Sequence, residues 1–88
     1  MTTALYTHPD ALLHVNPPGH PEQVARLKAI AAALAAPGFD GLDRREAPLG
    51  EVASIERCHP GEYVEIIRDN IPDTGWVQID ADTALSPG

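Results

Sequence analysis

Cysteine is almost absent from this chain, with Cys58 the single example. One thiol cannot close an intramolecular disulfide, which excludes a stapled scaffold and fits a reducing compartment; burial is the default expectation for such a thiol. Aromatics are also scarce: Tyr6, Phe39, Tyr63 and Trp76 are the only ones in 88 residues. Much of the 43% hydrophobic content is alanine, which adds little apolar area per residue, so a shallow core is expected. Basic charge is short as well. Six Lys and Arg stand against 13 Asp and Glu, for a net charge of −7 and a pI near 4.7. That balance argues against nucleic acid, whose phosphates demand a basic surface. It would suit a cationic substrate, but an ordinary acidic surface is the simpler reading. The longest apolar run, Ala29 to Ala36, falls far below the about 20 residues needed to cross a bilayer. No basic segment followed by an apolar one opens the chain, so the expectation is a cytoplasmic protein with no membrane association. Phosphate-binding glycine loops, a Gly-x-Ser-x-Gly elbow and a Cys-x-x-Cys pair are all missing.

What the chain has instead is punctuation: nine prolines and seven glycines, spread between elements. Eighty-eight residues form at most one small domain, which would bury roughly 60–65% of its unfolded surface. Thr3 to Thr7 is short and β-branched or aromatic at its edges, and reads as the first strand of a parallel sheet. Prolines 9, 17, 18 and 21 and histidines 8, 14 and 20 then make a semi-rigid loop, since proline fixes φ and removes a donor. Loops of this kind carry function more often than packing. Glu22 to Ala36 is a run of helix formers with Leu27, Ile30, Ala31 and Leu34 at helical spacing. Pro21 is placed as its first residue, Glu22 at its positive end, and Pro37-Gly38 as its stop.

Further along, Phe39 to Leu42 reads as a turn. Asp43 to Ala47 reads as an edge strand in which Arg44 and Arg45 deter unwanted pairing. Leu49, Val52 and Ile55 recur at steps of three, giving a short helix within Pro48 to Cys58. Pro60 opens another helix, with Tyr63, Val64, Ile66, Ile67 and Ile71 on its apolar side. Trp76 to Asp80 alternates as a short extended segment does, and Thr83 to Gly88 is expected to fray.

Several residues invite chemical readings. His8, Asp10, His14 and His20 fall within thirteen positions, but steps of six through a proline loop do not force imidazoles to converge on a metal. His59 near Tyr63 suggests a base beside a phenol, although packing and helix capping account for both. Asp80 and Asp82 could meet a divalent cation, yet the further oxygen ligands it needs are not evident. Arg26 stands out, because a guanidinium with five fixed donors lies one turn into a helix otherwise made of alanine and leucine. Either it reaches a functional anion, or it is a surface arginine, solvated or paired with Glu22 one helical turn back.

The order His14, Pro18-Gly19-His20-Pro21-Glu22, Arg26-Leu27 resembles the first loop and first helix of the histone deacetylase and acetylpolyamine amidohydrolase family. The resemblance continues, in family order, at Phe39-Asp40-Gly41-Leu42, at His59-Pro60-Gly61-Glu62-Tyr63-Val64 and at Leu85-Ser86-Pro87-Gly88. Val24 is a departure, standing where the family commonly has a proline. The resemblance implies an α/β class: the N-terminal fragment of a parallel-sheet deacetylase (arginase-like) fold, with one or two short strands and two to three helices. Residues 1–88 would form a single partial domain.

In such enzymes a zinc ion polarises the amide carbonyl and activates water. The family's metal ligands and catalytic tyrosine belong to motifs that this sequence does not contain. The resemblance therefore implies no catalytic and no metal-binding residue here, zinc belonging to the full-length family. His14, Pro18, Gly19 and His20 would shape the substrate-pocket rim, and Arg26 would line a product channel. The partner would be the remainder of a deacetylase-like chain, or another copy through self-association. The alternative reading is a non-catalytic truncated module for binding or assembly.

Overall fold

The computed structural model describes every residue, Met1–Gly88, and its contacts gather into two units: Met1–Ala47 with Gly88, and Pro48–Pro87. The chain is a small mixed α/β protein with one parallel and one antiparallel pair of strands and three α-helices.

In the first unit, strand β1 (Ala4–Thr7) and strand β2 (Asp43–Glu46) run parallel, with Ala4 opposite Asp43 and Thr7 opposite Glu46. Parallel neighbours need a crossover, and helix α1 (Val24–Leu34) provides it. The β1–loop–α1–β2 order follows the expected strand, helix and edge strand closely. One boundary moves. Pro21 and Glu22 precede the helix, and Gln23 is its N-cap. The reason is local: the Glu22 carbonyl accepts from the Asn16 side-chain amide at 2.9 Å, and the Arg26 N–H turns to the Gln23 carbonyl at 3.0 Å. At the other end Pro37 disfavours helical backbone at the preceding residue, and Ala36 is extended with ψ 151°.

The second unit holds helix α2 (Val52–Ile55), helix α3 (Gly61–Asp69) and an antiparallel pair, β3 (Val77–Gln78) and β4 (Ala84–Leu85). Pro60 is the N-cap of α3, Glu62 lies in its first turn and Arg68 in its last, where each suits the helix dipole. The Asn70 side chain closes the helix by donating to the Ile66 carbonyl at 2.8 Å.

Several expectations fail here. Four strands replace the one or two foreseen, and the tail, expected to fray, forms β4. Ala84 and Ser86, at 4% and 5% exposure, are the only buried residues of the chain. The Ile79 N–H bonds the Thr83 carbonyl at 2.9 Å, so the hairpin folds the tail back onto the extended segment. Cys58, expected to be buried, is exposed, because it follows α2 in a turn closed by its N–H on the Ile55 carbonyl. His59 and Tyr63 stack with centroids 5.7 Å apart, but both are exposed, so packing in a core does not explain them.

Two independent compact units of half this mass would together expose about 6,000 Å². The chain exposes 6983 Å². Ile30, Phe39, Ile55, Ile66 and Trp76 all remain more than two-fifths exposed, and Leu49 is 97% exposed. Apolar helix faces therefore exist without cover.

Candidate functional site

The first unit contains the predicted loop and is the best-organised part of the chain for function. By connectivity, the loop from His8 to Gln23 leaves the carboxyl end of β1, the edge at which open α/β sheets bind ligands. Its shape follows from its residues. Pro17-Pro18-Gly19-His20 is a β-turn closed by the His20 N–H on the Pro17 carbonyl at 3.2 Å. Proline at the second position and glycine at φ +85° in the third are the requirements of a type II turn. A side chain at position 19 would meet no atom within 4 Å, so backbone strain alone selects glycine.

The turn aims His20 at the helix approach. Its Nδ1 accepts the Glu22 N–H at 3.0 Å. The Glu22 carboxylate then takes Nε and Nη2 of Arg26, both at 3.2 Å. His20, Glu22 and Arg26 thus form one connected line across the start of α1, with Arg26 about half exposed. Of the expected rim residues, Pro18, Gly19 and His20 share this turn, while His14 is exposed on the preceding segment. The guanidinium reaches Glu22, which is the second of the two readings open for it from sequence.

A separate feature lies between β1 and α1. A cleft of about 690 Å³ is walled by Leu5, Leu12, Leu27, Ile30 and Leu34 and reaches His8 and Arg44 at its polar margins. Neither Arg26 nor any expected rim residue lines it. Arg44 donates to the Leu34 carbonyl at 2.5 Å, tying the end of α1 to β2.

His8 does more than its place in the proline loop implies. It immediately follows β1, and its Nδ1 accepts the Asp10 N–H at 3.1 Å, capping the 3₁₀ turn Pro9–Leu12. Its other nitrogen lies 3.7 Å from a Glu46 oxygen at the end of β2, and the Asp10 carboxylate lies 3.6 Å from Nδ1. The His-Pro-Asp signal was legible as a cap; the approach of Glu46 was not, since 38 positions separate it from His8.

The residues do not assemble a zinc site. Nowhere do three His, Cys, Asp or Glu side chains come together in a way that could hold a metal ion. His8, Asp10, His14 and His20 do not converge. The Asp80–Asp82 pair is a local turn: Asp80 Oδ1 accepts the Asp82 N–H at 2.8 Å. That bond first, and the Thr83 hydroxyl second, hold the Asp80 carboxyl below its ordinary value. No helix is long and apolar enough to cross a membrane. Comparison with protein-family models and with curated proteins finds no match.

Proposed function

We propose that this chain is the amino-terminal segment of a zinc-dependent deacetylase-like amidohydrolase acting on acetyl-lysine or acetylpolyamine substrates. In this role it supplies a pocket-rim loop and the channel residue Arg26, and no zinc ligand. The supporting observation is the β1–loop–α1–β2 unit, which puts the type II turn and the His20–Glu22–Arg26 line in the loop that leaves the carboxyl end of a parallel strand. The matching order of motifs along the sequence supports it independently. A two-stranded parallel sheet with uncovered apolar helices also fits a segment completed by further chain, because parallel sheets are covered on both faces. The single exposed cysteine accords with a cytoplasmic setting.

The test grafts residues 1–88 onto the catalytic portion of a homologous deacetylase and assays acetyl-lysine peptide turnover. Restored activity that depends on the grafted loop supports the reading. A graft that folds and binds zinc yet stays inactive overturns it. The 88-residue chain alone, given zinc, is expected to give no chelator-sensitive turnover. The same lack of cover fits the second reading, a non-catalytic module for binding or assembly. Pull-down of an intact deacetylase partner, without activity in the graft, would favour that one.

A further inference from the structure

The acidic excess of the chain is unevenly spread. Pro48–Pro87 holds eight Asp and Glu against two Arg, a charge of −6, whereas Met1–Ala47 holds five against four Lys and Arg, and the two make up the total of −7. In the first unit Arg26 and Arg45 pair with Glu22 and Asp43. Helix α3 carries three of the second unit's acids. None of these carboxylates, Glu62, Glu65 or Asp69, is engaged in a hydrogen bond or ion pair.

Their position follows from helical spacing. Steps of three and four put Glu62, Glu65 and Asp69 on one line along α3, and Tyr63, Ile66 and the C-cap Asn70 on the next. Beyond that second line lie Val64 and Ile67, which are half-buried. Tyr63 and Ile66 stay 44% and 53% exposed, and Ile71 just past the helix is 49% exposed. An uncovered apolar stripe therefore runs along α3 with a border of unpaired carboxylates on one side.

We infer that this face of α3 seats a basic amphipathic helix, supplied by the chain that completes the fold. The inference rests on the reading that further chain completes this segment, and deepens it by naming the chemistry of one covering element. Charge selects the occupant. Lys or Arg bordering the apolar face of the incoming helix would stand opposite Glu62, Glu65 and Asp69, while its apolar side chains cover Tyr63 and Ile66. A neutral apolar helix would leave the carboxylates at the rim partly desolvated and unpaired. A second copy of this chain would bring acid against acid. A free polyamine would meet the carboxylates but leave the apolar stripe uncovered.

The probe is a synthetic peptide of roughly 18 residues, long enough to hold a helix, with leucines on one face and lysines along its borders. Its fluorescence anisotropy is followed as the 88-residue chain is added. A neutral peptide, with glutamine in place of every lysine, is the comparison. The basic peptide should bind more tightly than the neutral one, and more weakly as salt is added. Glu62→Gln/Glu65→Gln/Asp69→Asn should weaken its binding about threefold to a hundredfold, the combined worth of three exposed ion pairs. Asp10→Asn/Asp40→Asn/Glu46→Gln removes the same charge from the first unit and should bind as the wild type does. The salt series on the wild-type chain decides the matter even where a variant fails to fold. No binding, equal binding of the neutral peptide, or equal loss in both triple variants overturns the inference. Displacement of the peptide by spermine at equal concentration overturns it too. An inactive graft, by contrast, counts against the deacetylase reading and leaves the peptide binding unaffected.

Discussion

Arg26 holds Glu22 in a two-pronged contact, Nε to one carboxylate oxygen and Nη2 to the other, across the boundary where loop becomes helix. Glu22 is in turn fixed from behind by His20 and Asn16. The guanidinium is thus positioned by the loop and not by the helix alone, so a change in the loop reaches Arg26 without touching it.

Arg26→Ala in the isolated chain should therefore shift stability by less than about 0.5 kcal/mol, because both partners are about half exposed and solvent screens them. In the grafted enzyme the same substitution should lower turnover by about tenfold to a hundredfold, the worth of one charge-assisted contact of roughly 1.5–3 kcal/mol. Thermal melts and steady-state kinetics on one preparation would separate the two. His20→Ala is the comparison, expected to raise KM more than it lowers kcat. Unchanged kinetics for Arg26→Ala would assign the residue to its Glu22 pair and nothing more.

Gly19→Ala should destabilise the first unit by roughly 1–2 kcal/mol, since alanine is strained at φ +85° although space is open around it. Gly41→Ala, also in open space but without positive φ, should be close to neutral. Equal effects at the two positions in chemical denaturation would refute the type II turn as the reason for Gly19.

The β3–β4 hairpin should loosen in acid. Asp80 has a carboxyl held below its ordinary value in the folded chain, so its contribution is present above the unfolded value and is lost as pH falls through the folded one. Amide exchange at Asp82 should accelerate through that acid window, well below neutral pH. Asp80→Asn should flatten the dependence, and an unaltered profile in that variant would place the acid sensitivity elsewhere.

Ala84→Asp should open the same hairpin, because it puts an unpaired carboxylate at one of the chain's two buried positions, at a cost of about 2 kcal/mol. Trp76, the only tryptophan, lies next to β3 and reports the change by fluorescence. Leu49→Asp is the control. At 97% exposure that position should accept a carboxylate with no spectral change, and a matching response there would mean that the signal is not specific to the hairpin.

Much of the first unit was legible in the sequence because its signals are local. Thr3 to Thr7 and Asp43 to Ala47 carry strand and edge chemistry, the alanine-rich run carries helix propensity, and the prolines between them mark a loop. The start of α1 is not legible in the sequence, since the bonds that hold Glu22 outside the helix, from the Asn16 amide and to His20 Nδ1, depend on a loop that folds back on itself. His20 and Arg26 were foreseen as notable, but the carboxylate that joins them was one of two alternatives.

By itself the sequence determined what covalent and near-neighbour physics determines: proline and glycine positions, helix periodicity, the charge on β2 and the lack of it on β1. Tertiary structure decided the rest. Pairing of β1 with β2 across 39 positions brought Glu46 to His8 and Arg45 over Tyr6. Backbone pairing also turned the expected loose tail into β4 and made Ala84, a residue with no distinguishing pattern around it, the most buried in the chain. These outcomes turn on hydrogen bonds between distant segments, whose energies are set by register and closure. No window of neighbouring residues contains that information.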